Sequence, residues 1–142
     1  QKDTAVLTLM NLESVLERDF EVVSPDMTLG EMVSVISVSH RNSFPVVDER
    51  GVLVGIVELD NVRNIMFRPE LYDRYKVRKI MVTPEVKVSS ATPMTEVMRL
   101  FDETKAWKMP VVDEEGRYLG FISKSAIFNS YREVLNCTFI GD

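Results

Sequence analysis

The sequence repeats itself at an offset of 65 residues, without gaps, over most of its length. Phe44-Pro45-Val46-Val47-Asp48-Glu49-Arg50-Gly51-Val52-Leu53-Val54-Gly55-Ile56-Val57 returns as Met109-Pro110-Val111-Val112-Asp113-Glu114-Glu115-Gly116-Arg117-Tyr118-Leu119-Gly120-Phe121-Ile122. Val15-Leu16 maps to Ile80-Met81, Val23-Ser24 to Val88-Ser89, and Glu31 to Glu96. Leu29, Met32, Val33 and Ile36 map to Met94, Val97, Met98 and Phe101. A match of apolar positions at a fixed period is the mark of duplicated structure. With two copies, a closed two-fold pair is expected rather than an open solenoid.

Each copy reads as one supersecondary unit. The doubled stretch is an apolar strand, an acidic turn with glycine and a second apolar strand, which is a β-hairpin pattern. Asp48 and Asp113 can bond their own backbone, and Gly51 and Gly116 can take positive φ. Gly55 and Gly120 interrupt the second strands, where a bulge or a close backbone approach is expected. Ahead of each hairpin, Leu29, Met32, Val33, Ile36 and their counterparts have the i, i+3, i+4, i+7 spacing of a helix with one buried face. Thr28 with Glu31 predicts a capping box, and Thr92-Pro93 predicts an N-cap with proline at the first helical position. Glu21–Pro25 and Glu85–Val88 read as short strands.

Asp60 is expected to cap a helix carrying Val62, Ile65 and Met66. The last helix starts near Ser123–Ser125 and turns Ile127, Tyr131, Val134 and Leu135 inward. Residues 5–16 read as an entry strand or turn, then a short helix. The predicted class is therefore α/β (α+β): two β-α-β-β-α repeats in a pseudo-two-fold tandem, each with a three-stranded sheet, and a cleft between the halves. Residues 1–66 form the first repeat with its leading segment, 67–76 the connector and 77–142 the second repeat. The connector holds Phe67, Leu71 and Tyr72, aromatic and apolar groups expected to be buried.

Composition removes several functions. Lys+Arg 17 against Asp+Glu 22 gives a formal charge of −5, which argues against a non-specific nucleic-acid binder. No apolar run is long enough to span a bilayer. The start at Gln1 suggests an excised fragment. The single Cys137 cannot form an internal disulfide, as expected of a protein from a reducing compartment. No nucleophile–base constellation, metal-ligand cluster or phosphate-cradling glycine loop occurs, so no enzyme activity is expected. The methionines fall mostly on helical stripes and read as adaptable core.

The doubled β-α-β-β-α unit with Phe44–Asp48 and Met109–Asp113 resembles a tandem pair of CBS domains, the Bateman module. Three further stretches are similar to the cytoplasmic C-terminal region of prokaryotic CLC-type chloride channels and transporters. These are Arg68-Pro69-Glu70-Leu71-Tyr72 with Val77–Met81, Lys124–Arg132, and Ala5–Met10. The resemblance implies a non-catalytic regulatory module of a voltage-gated chloride channel or anion transporter, on the cytoplasmic side of the cell membrane. It implies attachment to an upstream transmembrane domain, and assembly as a homodimer. No cofactor is required, and an adenine nucleotide (ATP, ADP or AMP) is the implied ligand.

In that family a Ser/Thr-x-x-Asp motif after each second hairpin strand grips the ribose. Here the first copy reads Glu58-Leu59-Asp60-Asn61 and the second Ser123-Lys124-Ser125-Ala126. Neither keeps the full grip: Asn61 can bond a sugar hydroxyl, Ala126 cannot. Ser123 and Ser125 could reach a ligand or cap the last helix, with the cap favoured for Ser125. Phe44, Pro45, Met109 and Pro110 stand where the family places walls for the purine, or they are core. Arg41, Lys105 and Lys108, in the loops before the hairpins, could meet phosphates. Glu58 would repel a phosphate. Trp107 could stack on a base or pack on a partner, with burial favoured. Two other readings remain: a dimerising staple that binds no ligand, and the same fold attached to a magnesium transporter or a dehydrogenase.

Overall fold

The computed structural model describes residues 2–139, and the side chains of residues 5–136. Cys137 lies outside the described side chains. The helices are α1 (Lys2–Thr8), α2 (Leu29–Val38), α3 (Leu59–Val62), α4 (Val77–Ile80), α5 (Met94–Thr104) and α6 (Lys124–Phe139). The strands are β1 (Ser43–Val47), β2 (Leu53–Glu58), β3 (Val88–Ser89), β4 (Lys108–Val112) and β5 (Tyr118–Ser123). The mixed α/β class expected from the repeat is therefore found.

The duplication is visible bond by bond. β3 pairs in parallel with β4, Val88 opposite Val111. The equivalent pair, Val23 opposite Val46, is a parallel bridge with Val23 N donating to the Pro45 carbonyl at 2.9 Å. The second copy thus has its three-stranded sheet, β3-β4-β5. The first has the β1-β2 hairpin and a single bridge at Val23 in place of the expected Glu21–Pro25 strand. In the first hairpin Asp48 Oδ1 accepts from Arg50 N at 2.9 Å and Val52 N at 3.0 Å. Gly51 takes φ +86°, a conformation closed to most side chains, and Gly116 takes +84°.

Two compact units form, and they do not coincide with the copies. One gathers residues 19–84 with 115–118. The other gathers residues 2–18, 85–114 and 119–139. The expected divisions near residues 66 and 77 follow the repeat, whereas packing cuts the chain elsewhere. Glu17 pairs with Phe121 on β5 (Glu17 N to Phe121 O, 2.8 Å), and its equivalent Val82 pairs with Ile56 on β2 (Val82 N to Ile56 O, 2.8 Å). The leading stretch of each copy therefore closes the sheet of the other. Leu12 and Val15 join the core of Val88, Val97, Phe101, Met109, Val111, Ile122 and Ile127. Val77, equivalent to Leu12, joins the core of Val23, Met32, Phe44, Val46, Val57 and Val62. A unit of this size has a marginal core, and the exchanged segment supplies apolar surface to it.

Local expectations fare unevenly. The Thr28–Glu31 capping box is present in full. The second helix begins one residue late: Pro93 occupies the N-cap position, and Thr92 Oγ1 accepts from Ser89 N at 3.1 Å. Asp60 does not cap α3. Glu58 is at that position without a side-chain bond to the helix, and Asp60 lies in the first turn, paired with Arg63. The leading segment contains helix α1 and a 3-10 turn at Leu12–Val15 rather than a strand. In the connector, Leu71 is buried and the Tyr72 hydroxyl donates to the Met66 carbonyl at 2.6 Å, but Phe67 is 79% exposed, against expectation. No described helix is long and apolar enough to cross a membrane.

Candidate functional site

The loop before each hairpin is clamped to the residues that follow it by one backbone bond. Leu59 N donates to the Asn42 carbonyl at 2.8 Å, and Lys124 N donates to the Trp107 carbonyl at 3.0 Å. Leu59 and Lys124 are equivalent, as are Asn42 and Trp107. The clamp exists because β1 and β2, and likewise β4 and β5, bring their outer ends side by side. Each hairpin therefore displays a loop residue next to the four-residue window read as a ribose motif.

In the first unit this arrangement lines a cavity of about 430 Å³ formed by Asn42, Glu58, Leu59, Asp60, Asn61 and Arg63. Glu58 is already engaged: the hydroxyl of Ser43, fully buried, donates to its carboxylate. Asp60 pairs with Arg63. Asn61 is exposed. A larger cavity, about 500 Å³, lies at the other end of the same sheet, among Ser24, Asp26, Asp48, Glu49, Arg78 and Met81. Arg78 pairs there with Asp26 at 2.6 Å and holds that carboxyl below its ordinary range. This cavity contains none of the candidate ligand-binding residues.

The proposed purine walls lie in the core. Phe44 is fully buried among Val23, Met32, Val57 and Val62, and Met109 occupies the equivalent place beside Val97 and Phe101. Pro45 and Pro110 are buried with them. Of the three candidate phosphate contacts, Arg41 already has partners: its guanidinium lies 3.9 Å from the centroid of Phe20 and pairs with Asp19. Lys105 is exposed and ends α5 in the left-handed conformation, φ 59°, with its N–H bonded to Phe101 O at 3.0 Å. Lys108 is half-buried at the start of β4.

The second window differs from its twin. Ser123 Oγ accepts from Ala126 N at 3.1 Å, so Ser123 rather than Ser125 caps α6. Ser125 is exposed, its hydroxyl 3.4 Å from that of Ser123. Trp107, expected to be buried, is 80% exposed. Lys124 Nζ stands 5.9 Å from the indole centroid. Sequence reasoning passed over Ser43 and Lys124, although the repeat offset places Lys124 inside the window. Among the described residues, no group of three or more His, Cys, Asp or Glu is arranged to hold a metal ion.

Comparison with known proteins bears on the fold and the family. The chain is 29% identical to inosine-5'-monophosphate dehydrogenase of Methanocaldococcus jannaschii over 118 residues, 83% of this chain and 23% of that protein. The chain thus spans about a quarter of the length of that relative. The fold is shared with CbpB solved in complex with c-di-AMP, with TM-score 0.79, 14% identity, and coverage of 96% of this chain and 94% of that one. It is shared too with the CBS domain of a bacterial CNNM/CorC family Mg2+ transporter in complex with ATP, with TM-score 0.76, 15% identity, and coverage of 92% and 93%. The CBS domain family matches twice, over residues 12–68 and 77–133, once for each copy of the 65-residue repeat. The chain belongs to the CBS domain family and carries two CBS domains in tandem.

Proposed function

We propose that this CBS pair is a non-catalytic regulatory module that responds to an adenine nucleotide and biases an attached transport protein. The observation that carries the reading is the doubled clamp, which sets an exposed loop residue beside a hydroxyl- or amide-bearing window in each copy. Two proteins of the same fold, solved with c-di-AMP and with ATP, support an adenine nucleotide as the ligand class. The relative that is a dehydrogenase is matched over only a quarter of its length, which supports a module distinct from catalytic machinery.

The host proposed is a CLC-type anion channel or transporter. Its transmembrane domain would precede this chain, with the CBS pair on the cytoplasmic side of the membrane as a homodimer. The support is the sequence similarity of residues 5–10, 68–72, 77–81 and 124–132 to the tails of that family. A ligand shifts such a host only by binding one arrangement more tightly than another. The relatives favour two other hosts, a dehydrogenase and a magnesium transporter. The residues upstream of this chain in its host separate the three.

A second reading, a dimerising staple without ligand, is favoured by the damaged ribose motif. Ala126 has no polar side chain, and Glu58 is occupied by Ser43. Thermal unfolding with and without millimolar ATP, ADP, AMP and adenosine separates the readings. A ligand at 100 times its Kd adds about 2.7 kcal/mol, several degrees for a chain of this size. A flat response to all four, with dimer mass intact in solution, leaves the staple.

A further inference from the structure

We infer that the second copy carries an anchor for an anionic bilayer surface, in which Trp107 and Phe128 enter the headgroup layer and Lys105, Lys108 and Lys124 meet lipid phosphates. The inference goes beyond the nucleotide reading and does not rest on it. Two large apolar side chains are left in water here: Trp107 is 80% exposed and Phe128 62%. They are neighbours. Lys124 Nζ stands 5.9 Å from the indole centroid, and Phe128 lies four residues further along α6, on the same stripe as Lys124. Leu7, Met98, Ile127 and Tyr131 continue the patch as an apolar depression beside Phe128. An exposed patch of this kind marks a contact with a protein or a membrane.

Charge and shape favour the membrane. Lys105 and Lys108 flank Trp107 in the chain, and among the described residues none of the three lysines pairs with a carboxylate. Arg99 takes Glu103, so Asp102 is the one nearby carboxylate at the end of α5, and the patch keeps two net positive charges. The chain as a whole is at −5, but charges farther off than roughly 10 Å are screened at physiological salt. An anionic leaflet is drawn to such a cluster. Trp107 projects from a loop, so a protein partner would need a pocket shaped to it. The headgroup layer takes an indole without one, the ring among acyl carbons and the N–H among polar groups. Lysine stems follow the ring while their ammonium groups stay at phosphate level. The first copy has His40, Asn42, Ser43, Leu59 and Arg63 at the equivalent positions, with no aromatic side chain and with Arg63 already paired to Asp60. The anchor therefore belongs to one copy.

The chain contains one tryptophan, so its intrinsic emission reports this patch alone. The whole 142-residue chain is mixed with phosphatidylcholine vesicles, with and without phosphatidylserine, and read by co-sedimentation and by tryptophan emission. The expected result is sedimentation with the phosphatidylserine vesicles only, an emission shift to the blue, and loss of both at high salt. Trp107→Ala and the double variant Lys105→Gln/Lys124→Gln should each lower partitioning about tenfold while melting as the parent does. Phe67→Ala, at an equally exposed aromatic outside the patch, should leave it unchanged. Absence of sedimentation with phosphatidylserine overturns the anchor. So does sedimentation with unshifted emission and no loss in Trp107→Ala, which places the lipid contact elsewhere. Self-association in solution that Trp107→Ala abolishes, without vesicle binding, assigns the patch to a second copy and overturns it too. Melting shifts with nucleotide test the nucleotide reading separately, so the two fail independently.

Discussion

The two hairpin ends have the same backbone and opposite surfaces. Asn42–Leu59 and Trp107–Lys124 are the same hydrogen bond, 2.8 and 3.0 Å long. Around the first stand two carboxylates and a buried serine; around the second, an exposed indole and two lysines. Phe44 and Met109, two residues further into each strand pair, are both buried, so the core is reached by this position in both copies. Duplication thus fixed the scaffold, which both copies need to fold, and left the displayed residues free to diverge.

The largest test of that division is in the core. Phe44→Ala should cost about 3–5 kcal/mol and Met109→Ala about 2–5 kcal/mol, measured by urea unfolding. Costs near zero at either position would mean it is display rather than scaffold. Next come the interrupting glycines. A Cβ at Gly120 would meet the Glu17 backbone oxygen at 2.6 Å, whereas one at Gly55 would meet the Met81 sulfur at 2.6 Å. Backbone in a pairing bridge cannot retreat as a flexible thioether can. Gly120→Ala should therefore cost about 2–3 kcal/mol and Gly55→Ala about 1 kcal/mol, and the reverse order would break the comparison.

The displayed surfaces offer a gain-of-function test. Ala126→Asp supplies the carboxylate that the second window lacks. A charged hydrogen bond contributes about 1.5–3 kcal/mol, so preference for ATP over 2'-deoxy-ATP should rise roughly tenfold in calorimetry. An unchanged ratio would remove the sugar from the neighbourhood of residue 126.

The smallest effects lie in the helix starts. Thr28→Ala removes a capping box and should cost about 1 kcal/mol; Thr92→Ala, which loses one loop bond, should cost less. Both Glu31 and its equivalent Glu96 titrate below the ordinary glutamate value of 4.5, for different reasons. Glu31 accepts from the Thr28 backbone and hydroxyl, and Glu96 pairs with Arg99 at 2.5 Å. A lowered folded-state pKa gives stability that is present above pH 4.5 and lost as pH falls through the folded value. Glu31→Gln and Arg99→Gln should each flatten the acid limb of a stability–pH profile. High salt should reproduce only the second, because it screens an exposed ion pair more than a local hydrogen bond.

Much of the scaffold was legible in the chain. Periodicity marked α2 and α5, the Asp-to-Gly turns marked the hairpins, and the Thr28–Glu31 box was read in full because capping is local chemistry. Of the site, the window positions were legible, since they follow from the repeat. Trp107 was misjudged because hydrophobicity argues for burial, and the indole stands 80% exposed instead. Asp60 and Ser125 were misjudged as caps because the strands run to Glu58 and Ser123, and cap identity depends on where the strand stops.

The sequence by itself determined the β-α-β-β-α order, the two-copy plan and the apolar face of each helix, because these depend on contacts a few residues apart. Only the tertiary structure decided that Glu17 closes the second copy's sheet and Val82 the first's. It alone turned Trp107 outward and joined Ser43 to Glu58. Those outcomes depend on which distant backbone groups find hydrogen-bond partners when the cores form, and no local pattern encodes that choice.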